Sequence, residues 1–439
     1  YRGGVYDLLI IGGGITGAGA ARDAARRGLK VCLVEQDDLA SGTSSRSSKL
    51  VHGGLRYLEQ LEFSLVFEAV SERRVLMEIA PHLVQPLGFL FPVYKTSRRG
   101  VFTVNLGMWV YDGLSLFRSP RIHQNLNAKK VVALEPALNR TGLRGAPLYW
   151  DCATDDARLT LETALDAAEN GADILSWSKV VGLLRDESGR VSGARVRDTI
   201  AGKERRMPAR AVINATGPWS DRTRSLGEGG HKARLRPTKG VHIVVPKSRL
   251  PVDNAVVCFH PQDGRVLFAI PWGDRTYIGT TDTDYTGDPG DVCADASDVE
   301  YLLAASNHYF PAASLVSDDV IATWAGVRPL IGQEDASDES AVSREHEIRV
   351  DTDFLITIAG GKLTTYRRMA AEVVDQAVSV LMLQGKLPDE LRAARTDREP
   401  LPGARGWPDG DEGEKVLAAV IEAGLGRIGG DTARNLAST

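Results

Sequence analysis

The sequence predicts a mixed α/β chain, α+β overall. A parallel-sheet nucleotide domain is interleaved with a domain built on an antiparallel sheet, and a short helical segment closes the chain. Three observations carry that prediction. Residues 5–36, VYDLLIIGGGITGAGAARDAARRGLKVCLVEQ, read as strand, glycine turn, helix and strand. Residues 237–285 alternate in period two (VHIVVP, AVVCFH, RVLFAIP, TYIGTTD) with Pro, Gly and Asp between the runs, as antiparallel strands do. Residues 354–378 then give a strand that ends in Gly360-Gly361 and opens a long helix.

The first turn is the most informative. Leu8 to Ile11 form a short buried strand, and Gly12-Gly13-Gly14-Ile15-Thr16-Gly17 carries the G-x-G-x-x-G spacing. An alanine-rich helix follows to Gly28, then a second strand from Val31 to Val34, with Glu35 21 residues after Gly14. In this Rossmann-like arrangement Gly12 makes the tight turn, Gly14 lets a pyrophosphate approach, and Gly17 lets helix and strand pack closely. The helix N-terminus offers N–H groups and a positive dipole end to phosphate. A lone glycine motif also serves packing alone; here strand, turn, helix, strand and acidic residue all fall at the required positions.

Glu35 can accept hydrogen bonds from a ribose diol, which favours NAD or FAD over a 2′-phosphorylated cofactor. Two later strands, Ala211 to Ala215 before Thr216-Gly217 and the one ending at Gly360-Gly361, suit a long ligand lying along several strand ends. Extended FAD fits that description better than NAD.

Composition narrows the class. At 439 residues the chain has room for two or three domains. With 25% charged residues and a formal net charge of -4, nucleic acid is excluded as the main partner. Cys32, Cys152, Cys258 and Cys293 are scattered without metal-ligand spacing, so no metal is expected. They read as small buried apolar residues in a reducing compartment. No apolar run reaches the ~18 residues of a membrane span, and the N-terminus shows no signal-peptide pattern.

The predicted nucleotide domain comprises residues 1–81, 150–235 and 348–384, and the second domain 82–149 and 236–347. Residues 385–439 are expected to be a linker and a partial helical domain. Residues 156–171 read as an amphipathic helix with Leu159, Leu161, Ala164, Leu165 and Ala168 on its apolar face, and 297–310 as another helix.

Residues 11–28 (IGGGITGAGAARDAARRG), 45–59 (SRSSKLVHGGLRYLE) and 360–370 (GGKLTTYRRMA) resemble the FAD-dependent, quinone-linked glycerol-3-phosphate dehydrogenases. DDARLTLETALDAAENGA (155–172), KGVHIVVP (239–246), IGTTDTDY (278–285) and WAGVRPL (324–330) follow in that family's order. The resemblance spans about residues 5 to 380. It implies non-covalent FAD and oxidation of sn-glycerol 3-phosphate to dihydroxyacetone phosphate by hydride transfer. It also implies a quinone acceptor and a cytoplasmic protein held peripherally on the inner face of the cell membrane. Ile15, Thr16, Ser48, Lys49, His52, Gly53, Ala215, Gly217, Gly361, Lys362, Leu363 and Thr364 join Gly12, Gly14, Gly17 and Glu35 as expected cofactor contacts.

A phosphate dianion needs cations with matching donor geometry. The candidates are Arg56, Arg328, Arg344 and Lys362, whose ordinary alternative is a solvated surface charge. Arg56 sits among Gly54, Leu55, Tyr57 and Leu58, and Arg328 between Val327 and Pro329, which are poor settings for idle charges. His242 in KGVHIVV is the candidate base for the substrate hydroxyl, against a histidine that only shapes the pocket. Arg328 would stabilise a developing alkoxide, and Lys362 the flavin edge where negative charge develops.

In residues 94–117, Lys95, Arg98 and Arg99 precede Phe102, Trp109, Val110, Tyr111, Leu114 and Phe117. That reads as a helix packed on the second domain or as a seat on an anionic bilayer. An oxygen-using oxidase, a relative oxidising amino or 2-hydroxy acids, and a non-catalytic flavin-binding scaffold stay open, as does a homodimer.

Overall fold

Buried apolar runs separated by glycine and acidic turns assemble into two sheets that the chain visits alternately. The computed structural model describes residues 4–59, 62–116, 119–227, 233–332, 346–387 and 390–408, with isolated positions beyond 408. The chain starts with β1 (Tyr6–Ile11), α1 (Ile15–Arg26) and β2 (Val31–Val34). It then crosses to β3 (Leu50–Val51), α2 (Arg56–Glu59), α3 (Phe63–Ile79), β4 (Val84–Leu90) and β5 (Val93–Tyr94). The same excursion continues with α4 (Val101–Leu114), β6 (Gln124–Asn127), α5 (Ala128–Leu134) and β7 (Leu143–Thr154). α6 (Asp156–Glu169) leads back to β8 (Asp173–Leu175), β9 (Ser178–Arg185), β10 (Val191–Asp198), β11 (Glu204–Asn214) and α7 (Ser220–Arg224). A second excursion holds β12 (Leu235–Pro246), β13 (Ala255–Phe259), β14 (Val266–Trp272), β15 (Arg275–Gly279), β16 (Thr283–Asp284), α8 (Ala296–Tyr309) and β17 (Ala322–Ile331). The return is made through β18 (His346–Val350), β19 (Leu355–Gly360) and α9 (Tyr366–Leu383).

The first sheet has a parallel core in the order β8-β2-β1-β11-β19, with β18 antiparallel at one edge and β9 and β10 attached through β11. Leu8, Leu9 and Ile10 are all buried, as strands covered on both faces must be. On one face Ala20, Ala21, Ala24 and Ala25 of α1 meet Met369, Ala370, Val373 and Val374 of α9. The small α1 side chains let the helices lie close. A Cβ on Gly19 would stand 2.9 Å from that of Ala370.

The second sheet runs β16-β12-β15-β14-β13-β4-β7-β3, with β17 on the other edge of β12. Its period-two pattern feeds two cores. Val241, Ile243 and Val245 face the layer under α8, while Val244, Ile270 and Tyr277 face Val104, Met108 and Tyr111 of α4.

Three sequence expectations need correction. β3 pairs with β7, and β7 runs unbroken to Thr154, so the predicted bounds at 81 and 150 leave strands of the second sheet inside the nucleotide domain. The buried face of α6 is Leu159, Thr160, Glu162, Thr163, Ala164, Asp166 and Ala167, while Leu165 and Ala168 are exposed. The expected linker after 385 is instead bonded to the core over residues 396–405. Arg22 donates to the carbonyls of Thr396 and Glu399, and the Leu401 N–H to that of Ile79.

An ionic cluster explains the last two. Asp166 is fully buried and accepts from Arg22 at 2.7 Å, from Arg26 at 2.6 Å and from Arg405 at 2.9 Å. Helix α6 therefore turns a charged face to α1, and the C-terminal strap closes over it. Removing one member of a buried cluster leaves the others uncompensated. Asp166→Ala should cost about 3–5 kcal/mol in urea unfolding; a loss below about 1 kcal/mol would show a solvated cluster.

Candidate active site

The carboxyl ends of β1, β2, β11 and β19 open onto one groove, where open parallel sheets bind ligands. Gly12, Gly14, Ile15, Thr16, Glu35, Ala215, Gly217, Gly361, Lys362 and Leu363 all line it. Gly12 has φ +110, and a Cβ there would meet the Ala215 carbonyl oxygen at 2.6 Å. A Cβ on Gly17 would lie 1.9 Å from the Gly12 carbonyl oxygen, so Gly17 serves the packing of α1 rather than the lining. Gly14 is the N-cap of α1 and places no side chain in front of the helix end. Glu35 accepts the Gly13 N–H at 2.6 Å and lines the groove beside Gln36; burial raises its carboxyl pKa. Ser44 accepts the Ile15 N–H at 2.9 Å and also lines the groove. An open helix N-terminus, a close glycine turn and a carboxylate at the second strand form a cradle that fits a dinucleotide.

Beyond Lys362 the groove meets a second cavity, lined by Ser48, His52, His242, Arg328 and Thr364 as well as by Gly361, Lys362 and Leu363. A third cavity shares Ser48, His52 and Arg328 with the second and runs beneath α4 among Phe89, Phe91, Phe259 and Phe268. Arg328 donates to Asp282 at 3.0 Å, to the Thr280 hydroxyl at 3.0 Å and to the Thr281 carbonyl at 3.2 Å. Gly240 faces it across the sheet, where a Cβ would sit 2.4 Å from the guanidinium. The Lys362 ammonium lies 3.6 Å from the Tyr57 ring centroid.

His242 owes its position to sheet register: it stands opposite Trp324 on β17 and Gly279 on β15. Its ring stacks on Trp324 at 4.8 Å and lies against Gly279, whose added Cβ would fall 2.0 Å from the imidazole. Nε2 is 2.9 Å from Ser48 Oγ, while Nδ1 is buried with no partner among the described residues. Burial, then the charges of Arg328 and Lys49, push its pKa down to about 3.

Several expected contacts lie elsewhere. The Lys49 ammonium pairs with buried Asp156 at 2.6 Å instead of facing the groove, because a carboxylate cut off from solvating water needs a counter-charge. Gly53 packs on Tyr111 and Val70, and its N–H bonds to Tyr111 and Asp151. Arg344 and the side chain of Arg56 lie outside the described residues. Cys32, Cys152 and Cys258 are buried free thiols, whereas Cys293 is exposed. No metal-binding cluster occurs among the described residues. Asp282, Trp324 and Ser44 went unnoticed in the sequence; Trp324 opens WAGVRPL, and only strand pairing shows that it backs His242.

These features define an FAD-type dinucleotide oxidoreductase site, and the family profile for FAD dependent oxidoreductases matches residues 7–367. Over 439 residues the chain is 42% identical to the aerobic glycerol-3-phosphate dehydrogenase of Staphylococcus haemolyticus, covering 99% of this chain and 77% of that protein. The glycerol-3-phosphate dehydrogenase from Bacillus halodurans, solved with FAD, is 38% identical. It superposes with a TM-score of 0.78, covering 99% of this chain and 75% of that one. L-α-glycerophosphate oxidase from Mycoplasma pneumoniae, at 18% identity and a TM-score of 0.64, covers 91% of this chain and 100% of that one and shares the fold. The chain belongs to the FAD-dependent oxidoreductases and, within them, to the aerobic glycerol-3-phosphate dehydrogenase family. Its cofactor is FAD.

The depressed His242 pKa has a sign that can be checked. Between its ordinary 6.5 and about 3 the unfolded chain binds a proton that the folded chain refuses. This group therefore costs nothing above pH 6.5 and lowers stability as pH falls below it, by up to about 1.4 kcal/mol per pH unit. The stability gap between the parent and His242→Gln should narrow by that slope from pH 6.5 to 4.5 in denaturant titrations. A constant gap would mean that His242 titrates normally.

Proposed function

We propose that the chain oxidises sn-glycerol 3-phosphate to dihydroxyacetone phosphate and delivers the electrons to a quinone at the inner face of a membrane. The observation that carries this reading is the convergence of Arg328, Lys362 and the Ser48–His242 pair on one cavity at the end of the FAD groove. FAD, when bound, supplies the acceptor for the hydride from C2. Arg328, its fork oriented by Asp282 and Thr280, holds the anionic substrate and stabilises the oxygen on which charge develops. Lys362 adds positive charge where groove and cavity meet. His242, neutral and shielded, is the base on which the proton lost by the hydroxyl is finally held. Arg56 follows cavity-lining Leu55 in the chain and precedes cavity-lining Tyr57, and it completes the phosphate set with Arg344.

Two features support the acceptor and the location. The third cavity, apolar and rich in phenylalanine, touches the same Ser48, His52 and Arg328 and suits a quinone ring. Above it, α4 exposes Phe102, Leu106, Trp109 and Val110 on one face, after Lys95, Arg98 and Arg99. No helix among the described residues is long and apolar enough to cross a membrane, which is compatible with a surface seat.

Adding glycerol 3-phosphate without oxygen should bleach the flavin, whereas glycerol should act far more slowly, since phosphate binding energy positions C2. Arg328→Ala should keep its FAD but lose about 2–4 kcal/mol in kcat/KM for flavin reduction; an unchanged rate would remove the assigned role. Reoxidation by a quinone should outpace that by oxygen, and the reverse order would make the chain an oxidase. Phe102→Ser with Trp109→Ser should release the protein from anionic vesicles in flotation assays while leaving flavin reduction intact. Equal binding by that double variant would move the seat elsewhere.

A further inference from the structure

We infer that Ser48 relays the substrate proton: its Oγ takes the proton of the C2 hydroxyl while handing its own to Nε2 of His242. This rests on the reading of the substrate above. His242 is only 2% exposed, its Nδ1 is shut in without a partner among the described residues, and Nε2 has Ser48 Oγ at 2.9 Å. Proton traffic to the ring therefore passes through Nε2, and the group standing there is a hydroxyl that lines both cavities beyond the FAD groove.

The two partners are fixed by one aromatic frame. Trp324 stacks on the His242 ring, and its Nε1 donates to the Ser47 carbonyl at 3.1 Å. Tyr277 meets the ring edge-on at 6.1 Å, beside Trp324, and its hydroxyl donates to the Ser48 carbonyl at 2.9 Å. The next residue, Lys49, takes φ +51, a left-handed conformation a lysine seldom adopts, and is tethered there by Asp156. These contacts hold the strained turn and with it the serine hydroxyl against the histidine.

The step balances. The O–H bond of the C2 hydroxyl breaks as the C2 hydride leaves for the flavin, and the electron pair of that O–H bond forms the ketone. One proton moves to Ser48 and another from Ser48 to His242, so the serine ends as it began. Burial is the main cause that keeps His242 deprotonated, and the charges of Arg328 and Lys49 add to it; a dianion bound at Arg328 offsets the first of those charges, so the ring becomes a better acceptor when the anionic substrate arrives.

The test compares the FAD-bound parent with Ser48→Ala and Ser48→Thr. Rapid mixing with glycerol 3-phosphate should show reduction slowed about 100-fold or more in Ser48→Ala, little change in substrate affinity, and most of the rate restored in Ser48→Thr. In mixtures of light and heavy water the parent rate should bow, as two moving protons require, and the Ser48→Ala rate should fall on a line. An independent readout is the 15N resonance of His242 Nε2 in histidine-labelled protein, which should shift in Ser48→Ala with or without flavin. Ser48→Ala reducing as fast as the parent, or keeping the bowed dependence, overturns the relay. So does an unshifted Nε2, or a proton route that His52→Gln alone abolishes. A parent that glycerol 3-phosphate does not reduce overturns the substrate reading and the relay with it; the other outcomes strike the relay alone.

Discussion

The site depends on how closely α1 can approach the turn that follows β1. With hydrogens only at Gly12 and Gly17, the helix backbone comes to rest against the turn, and any side chain at Gly17 would have to occupy the space of the Gly12 carbonyl. That contact brings the positive end of α1 to the level of the strand ends of β1, β2, β11 and β19. The other end of the helix is held too. Arg22 and Arg26 bind Asp166, and the strap from Thr396 to Arg405 closes over the pair. A helix fixed at both ends gives the cofactor a rigid cradle, which a loop could not do.

Charge in the site is arranged before any ligand arrives. Arg328 leans on Asp282 and Lys362 on the face of Tyr57, so each has its orientation set by a neighbour, while Lys49, turned away to Asp156, adds only its charge near His242. His242 is kept neutral within reach of two of those cations. An anionic ligand finds oriented donors and needs little rearrangement, and this is the form of preorganisation on which stabilisation of a charged transition state rests.

Helix α4 joins this interior to the surface. Its outward face is apolar, while on its inward face the Tyr111 hydroxyl bonds to Asp151 and receives the N–H of Gly53. Arg73 completes that buried group, which thus ties the segment next to His52 to the helix with the exposed aromatic face.

What was legible in the sequence is what short-range spacing encodes. The G-x-G-x-x-G turn, Glu35 at the next strand end and the period-two strands from 237 to 285 all express local geometry, and their residues lie where that geometry puts them. The candidates His242, Arg328 and Lys362 could be named from the resemblance together with their setting among glycine and apolar neighbours. Their partners could not. Ser48 and His242 are 194 positions apart, Lys49 and Asp156 107, Arg22 and Glu399 377. For the same reason the charged face of α6, the strap once expected to be a linker, and the turning away of Lys49 and Gly53 from the groove were hidden. The sequence alone determined the kinds of strand and turn and therefore the cofactor class. The tertiary structure decided which side chains share a cavity, because that depends on sheet register and on which buried charge is left to neutralise another.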